Sequence, residues 1–136
     1  MPKALGIDYG TKRVGISISD SSQLIATGLT TVVNKNIFQF LSELFNKQDI
    51  DTIVIGNARN LDGTKTDISL EIEKFTTRLK IKYPNKQICM IDERFTSKIA
   101  FQSIIDSGVK KQKRKDKSLI DEVSATIILQ DYLSYK

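Results

Sequence analysis

The sequence predicts an α/β fold built on a mixed five-stranded sheet, ordered 3-2-1-4-5, with strand 2 antiparallel and helices on both faces. Three observations carry this expectation. The first 33 residues hold three strand-like runs with no helical period between them. From Asn36 onward, helical and strand-like patterns alternate, and strands joined through helices add in parallel by right-handed crossovers. The chain has 136 residues, enough for one sizeable core, so residues 1–136 are read as a single domain.

Ala4-Leu5-Gly6-Ile7 is an apolar run that ends in a carboxylate, Asp8. Gly10-Thr11-Lys12 turns the chain, which returns through Val14-Gly15-Ile16-Ser17-Ile18, alternating apolar with small or polar residues. Asp20-Ser21-Ser22 is a second turn, and Gln23 to Val33, rich in Leu, Ile, Thr and Val, is a third strand. Asn34 is placed to cap a helix over about Asn36 to Lys47, with Ile37, Phe40, Leu41, Leu44 and Phe45 at helical spacing. Asp51 to Gly56 is a short buried strand and Asn57 to Thr66 a polar loop. A helix follows from about Asp67 to Lys82, with Leu70, Ile72, Phe75 and Leu79 inward and Pro84 marking its exit. Gln87 to Ile91 is the fifth strand. A helix capped by Thr96 or Ser97 ends near Ser107, where Gly108 is a fitting stop. Val109 to Ser118 carries six basic residues, and the last helix runs from about Leu119 to Leu133.

Composition narrows the function. Hydrophobic residues make up 40%, which fits a globular chain. Lys and Arg outnumber Asp and Glu by 21 to 16; a formal charge of +5 suits a polyanionic partner and also plain solubility. The one cysteine, Cys89, lies in an apolar run and reads as a buried small hydrophobe in a reducing compartment. No apolar run approaches membrane-span length and no signal-peptide pattern opens the chain, so a cytoplasmic location is expected. With no histidine, acid–base chemistry near neutral pH falls to carboxylates, lysine, tyrosine or a bound metal ion.

A carboxylate at the end of a buried strand is costly without a partner. The predicted topology puts Asp8 at the carboxyl end of the central strand, the edge where open α/β sheets bind ligands. Asp92 and Glu93 follow the fifth strand, parallel to the first, and reach the same edge; pattern alone does not say which one faces the site. Asp121 stands at the start of the last helix, beside Glu122. Both head rows of buried character, and Ser118-Leu119-Ile120-Asp121 also fits a capping box. The blander alternatives are a side-chain turn for Asp8 before Tyr9-Gly10, which would not require an acid after a buried strand, and a surface ion pair for Glu93 beside Arg94. Carboxylates without histidine suit a hard divalent cation such as Mg²⁺, of the kind that stabilises the attacking and leaving oxygens in a phosphodiester displacement. Lys12 and Arg13 in the first turn, and the basic run at Lys110, Lys111, Lys113, Arg114 and Lys115, are candidate contacts for backbone phosphates; such a run also reads as a solvated loop.

Four stretches, GIDYGTKRVGIS (6–17), VIGNARNLDGT (54–64), IDERFTS (91–97) and DEVSATIILQDYL (121–133), together resemble the YqgF/RuvX family of bacterial RNase H-like nucleases. The resemblance spans nearly the whole chain. It implies an RNase H-like fold, a cytoplasmic Mg²⁺- or Mn²⁺-dependent nuclease, and Asp8, Glu93 and Asp121 as its acidic catalytic and metal-binding positions. It also implies a substrate: the precursor of the small-subunit ribosomal RNA at its 5′ end, or alternatively a four-way DNA junction. The chain departs from the family at Gly56 to Gly63, where a usual proline is missing and Arg59 appears, and at Ile68, where a basic residue is common. Arg59 is the candidate to replace that charge on nucleic acid. Symmetric cutting of a junction calls for a dimer; with no clear dimer seam, a monomer or weak dimer is expected.

Two other classes compete. Sugar-kinase and actin-type phosphotransferases also begin with a D-x-G-T hairpin but need two lobes and a longer chain. A non-catalytic RNA-binding ribosome factor would bind RNA in a salt-sensitive way that ignores metal and tolerates loss of Asp8.

Overall fold

Alternation along the first strand assigns the two faces of the sheet. The computed structural model describes residues 2–57, 67–92 and 117–134. Its strands are β1 (Lys3–Tyr9), β2 (Arg13–Ser19), β3 (Ala26–Val33), β4 (Ile50–Asn57) and β5 (Gln87–Asp92). The helices among the described residues are α1 (Ile37–Lys47), α2 (Asp67–Lys82) and α3 (Lys117–Ser134). The sheet order is β3-β2-β1-β4-β5. β2 runs antiparallel to β1 and β3, whereas β4 and β5 add in parallel, as the alternation of helix and strand required.

In β1, Leu5 and Ile7 point to one face, where they meet Val14, Ile16, Ile53 and Ile55 from the neighbouring strands. Ile37 and Leu41 of α1, with Ile72, Phe75 and Leu79 of α2, complete this core. Each such fully buried side chain contributes about 1.5–3 kcal/mol of transfer free energy. Ala4 points to the opposite face, with Val54, and packs under Ile128, Leu129 and Leu133 of α3. Helices therefore cover both faces. No helix of the described residues is long and apolar enough to cross a membrane.

The structure shifts several expected boundaries. β3 begins at Ala26 rather than Gln23, because one oxygen of Asp20 accepts the backbone N–H groups of Leu24 (2.8 Å) and Ile25 (3.0 Å). Those donors are then lost to the strand ladder. Asn34 does not cap the first helix: residues Asn34–Asn36 form a 3₁₀ turn, and α1 starts at Ile37 without a side-chain cap. The last helix begins at Lys117, which places Asp121 in its second turn. Cys89 is half-buried rather than buried. The expected helix ending near Ser107 and the polar loop beyond Asn57 lie outside the described residues.

Candidate active site

The carboxyl ends of β1, β4 and β5 share one edge of the sheet, as parallel pairing demands. β2 starts at that edge and β3 ends there, Arg13 pairing with Val33. Asp8 is the penultimate residue of β1 and is half-buried. Its cross-strand partner is Gly15. Residues directly opposite in an antiparallel pair share a face, with Cβ atoms about 4.5–5.5 Å apart. Parity puts Asp8 on the face of Ala4 and Gly6, under α3.

Gly15 shows what lies above that position. A Cβ placed on Gly15 would fall 2.1 Å from the carbonyl oxygen of Asp121 and 3.2 Å from its Cβ. No side chain fits there, so the backbone of α3 rests directly on β2. One helical turn on, a Cβ on Gly6 would stand 2.8 Å from the carbonyl oxygen of Ala125 and 2.7 Å from the Cβ of Leu129. Ser17 adds a buried hydrogen bond, its Oγ donating to the Ala125 carbonyl at 2.7 Å. Asp121, Ala125 and Leu129 are thus the row that α3 lays on the sheet, and Asp121 sits over the Asp8–Gly15 pair. The structure sets Asp121 above the cross-strand partner of Asp8.

Asp121 is held from the side by Arg13, whose Nε donates to Oδ2 at 2.9 Å. The pair keeps 35% and 23% of its side-chain surface, so solvent screens it and its worth to stability is modest. Its value is orientation: a guanidinium donor in fixed geometry sets where the Asp121 carboxylate points. The last helix starts at Lys117, so Asp121 lies beyond its capping positions, and this bond engages the Asp121 side chain. Arg13 accordingly has a protein partner in addition to its expected contact with phosphate. Glu122, the competing acid, turns to β3, where it fills the space over Gly28.

Asn34 belongs to this edge too. Its Nδ2 donates to the carbonyl of Gly10 at 2.6 Å, and its backbone N–H donates to the carbonyl of Lys12 at 2.9 Å. It pins the β1–β2 turn and leaves Lys12 exposed at the tip. Nothing in the local sequence distinguishes this long-range role from the cap that asparagine commonly makes before a helix. The remaining expected site residues, Glu93, Arg59, Lys110, Lys111, Lys113, Arg114 and Lys115, lie outside the described residues. Among the described residues no three metal-ligating side chains converge.

Comparison with known proteins shows the family and the fold. A family model described as RuvX, Holliday junction resolvase, matches residues 2–135. The chain belongs to the RuvX family. A Flavobacterium psychrophilum relative named "Putative pre-16S rRNA nuclease" is 48% identical, over 100% of this chain and 99% of its own length. A Flavobacterium johnsoniae relative of the same name is 45% identical over 100% of this chain and 99% of its own. RuvX membership thus sets the chain among nucleases, hydrolases that cleave phosphodiester bonds. Among solved structures, Thermus thermophilus RuvC in complex with a Holliday junction substrate superposes with a TM-score of 0.59 at 12% identity, covering 98% of this chain and 94% of that one. At that identity the likeness speaks to fold, and the fold of this RuvX chain is RNase H-like.

Proposed function

We propose that this protein is a divalent-metal-dependent endonuclease that matures the 5′ end of the small-subunit ribosomal RNA precursor, working as a single cytoplasmic domain, monomeric or weakly dimeric. The observation that carries the reading is the seating of Asp121 directly over the Asp8–Gly15 pair. It joins two carboxylates from distant parts of the chain at the ligand-binding edge of the sheet. Their donors are all oxygen, the chemistry that a hard cation such as Mg²⁺ or Mn²⁺ selects. Asp8 and Asp121 would hold that cation together with Glu93, the residue next in the chain after β5. When bound, the cation supplies Lewis-acid stabilisation of the phosphorane-like charge and activates the attacking water.

The chain's own residues do the rest. Arg13 fixes the Asp121 carboxylate through Oδ2. Asn34 holds the first turn in shape, so that Lys12 is presented to a backbone phosphate. Arg59, Lys110, Lys111, Lys113, Arg114 and Lys115 extend the electrostatic contact with nucleic acid. The curated relatives' name favours ribosomal RNA as substrate; the description of the matching family favours a four-way DNA junction as the second reading.

Asp8→Asn removes one anionic ligand and keeps the shape of the side chain. It should abolish Mg²⁺- or Mn²⁺-dependent cleavage while leaving melting temperature and most RNA binding in place. Full activity in this variant would sink the assignment. Assaying an extended ribosomal RNA precursor beside a four-way DNA junction decides between the two substrates.

A further inference from the structure

The thirteen residues from Lys74 to Lys86 hold five cations and no carboxylate, as many charges as the formal excess of the whole chain. Lys74, Arg78, Lys80 and Lys82 are all exposed on α2. Lys74, Arg78 and Lys82 recur at every fourth position and so line one side of the helix, each about 6 Å further along its axis. Like charges at that spacing repel and cost helix stability. The negative end of the helix dipole offsets this for Lys80 and Lys82, which lie in the last turn, but not for Lys74 and Arg78.

An aromatic ring of α1, Phe38, supports two of the three cations in this row. The Arg78 guanidinium stands 4.4 Å from the centroid of Phe38, and the Lys82 ammonium 5.2 Å from the same ring. Phe38 packs on Phe75, which stacks on Tyr9, the residue after Asp8. A cation resting on a ring face stays charged and exposed while losing less freedom when it meets an anion. The row is bounded at its far end, where Asp49 and Asp51 line a depression together with Lys82 and Lys86. Near its start, Lys74 lies 3.7 Å from Glu71 in a solvent-exposed pair of little strength. Between these limits the exposed surface is mainly cationic, with Glu73 as the carboxylate beside Lys74 and Arg78.

We propose that this outer row of α2 is a second nucleic-acid track, binding the sugar–phosphate backbone of the flanking strand while the scissile segment lies at the Asp8–Asp121 edge. The inference rests on the nuclease reading above and deepens it. α2 covers the face of the sheet opposite α3. A strand on the row therefore passes around the catalytic edge to reach the acids, which makes the track useful to long substrates and irrelevant to short ones.

The test uses the full chain, without metal, and measures RNA affinity against salt concentration for a short hairpin and for the same hairpin with a long single-stranded extension. Replacing Lys74, Arg78 and Lys82 together by Gln should reduce the salt slope on the extended RNA by about 2, since each phosphate contact to a single strand releases about 0.7 of a counterion. The slope on the short hairpin and the cleavage rate of that hairpin with metal should not change. Lys35→Gln, an exposed cation outside the row, serves as the reference. If the triple variant is unstable, Lys74→Glu with Lys82→Glu alters two exposed positions and leaves Arg78 on Phe38. An unchanged slope on extended RNA, or a loss shared equally by the short hairpin, overturns the track while the nuclease reading stands. Wild-type protein that binds neither RNA at low salt overturns both.

Discussion

The two faces of the sheet are built from different materials. Toward α1 and α2 the strands present Leu5, Ile7, Val14, Ile16, Ile53 and Ile55, all fully buried. Toward α3 they present Ala4, Gly6, Asp8, Gly15, Ser17 and Ser19, so β1 and β2 offer α3 little apolar volume. Large branched side chains keep a helix at a distance and tolerate small shifts by repacking. Glycines with a buried Ser17 hydrogen bond let the α3 backbone touch the sheet, where any shift meets backbone atoms. One face supplies most of the stabilising burial. The other supplies registration, and the carboxylates stand on the registered face.

If that division holds, the largest loss of stability comes from the face remote from the acids. Leu41 of α1 is fully buried in the aliphatic core. Leu41→Ala should cost about 2–5 kcal/mol, the range for deleting a buried leucine. Chemical denaturation measures it. Cleavage per folded molecule, assayed well below the new midpoint, should be near wild type. A large drop in that specific activity would mean that the two faces are not separable.

Gly15→Ala probes the other face with a single methyl group. The added Cβ meets the Asp121 carbonyl oxygen and carbon at 2.1 and 2.5 Å, and neither is the end of a flexible side chain. The start of α3 must therefore move away. Overpacking of this kind costs about 1–3 kcal/mol, no more than the leucine deletion. Its effect on cleavage should be far greater, because the shift separates Asp121 from Asp8 and strains the 2.9 Å bond from Arg13. A misplacement of about 1 Å can cost about a hundredfold in rate. Denaturation and metal-dependent cleavage measured side by side on the two variants sharpen the comparison: stability ranks them one way and activity the other.

The same contrast explains what could be read in the sequence. Period-two alternation separates Leu5 and Ile7 from Gly6 and Asp8, and the helix–strand order fixes strands 4 and 5 as parallel; both are local signals. Sheet order and the edge holding Asp8 follow from them. The choice between Asp121 and Glu122 did not follow, because α3 buries both rows and helical spacing treats them alike. What separates them is a glycine in β2, more than a hundred residues away, that makes room for one backbone and not the other. Gly6, Gly15 and Ser17, small residues on one face of two strands whose other face is branched aliphatic, were the available sign of a close helix. Asn34 escapes a local reading for the same reason, since its partner at Gly10 is remote in sequence. The cationic row on α2 was visible as composition, but its footing on Phe38 needed the packing of α1.

The smallest expected effect lies away from both helical faces, in the β2–β3 turn. Asp20 accepts backbone N–H groups from Ile25 and Leu24, and these bonds hold its carboxyl below the ordinary value of 3.8. Hydrogen bonds to the ionised form favour that form. A carboxyl whose pKa is lower in the folded than in the unfolded chain stabilises the fold fully at pH above the unfolded value. That contribution fades as pH falls through 3.8 toward the lower folded value. Asp20→Asn keeps a carbonyl acceptor but removes the titration. The midpoint of acid unfolding should move slightly toward lower pH relative to the stability each protein has at pH 7, and activity at pH 7 should not change, because the turn lies at the opposite end of β2 from Arg13. An Asp20→Asn protein with the wild-type pH dependence below pH 4 would show that the turn carboxylate has the same pKa folded and unfolded. Lost activity at neutral pH would instead tie this turn to the registration of α3, through Gln130, which accepts from the Ala26 N–H and donates to the Leu24 carbonyl.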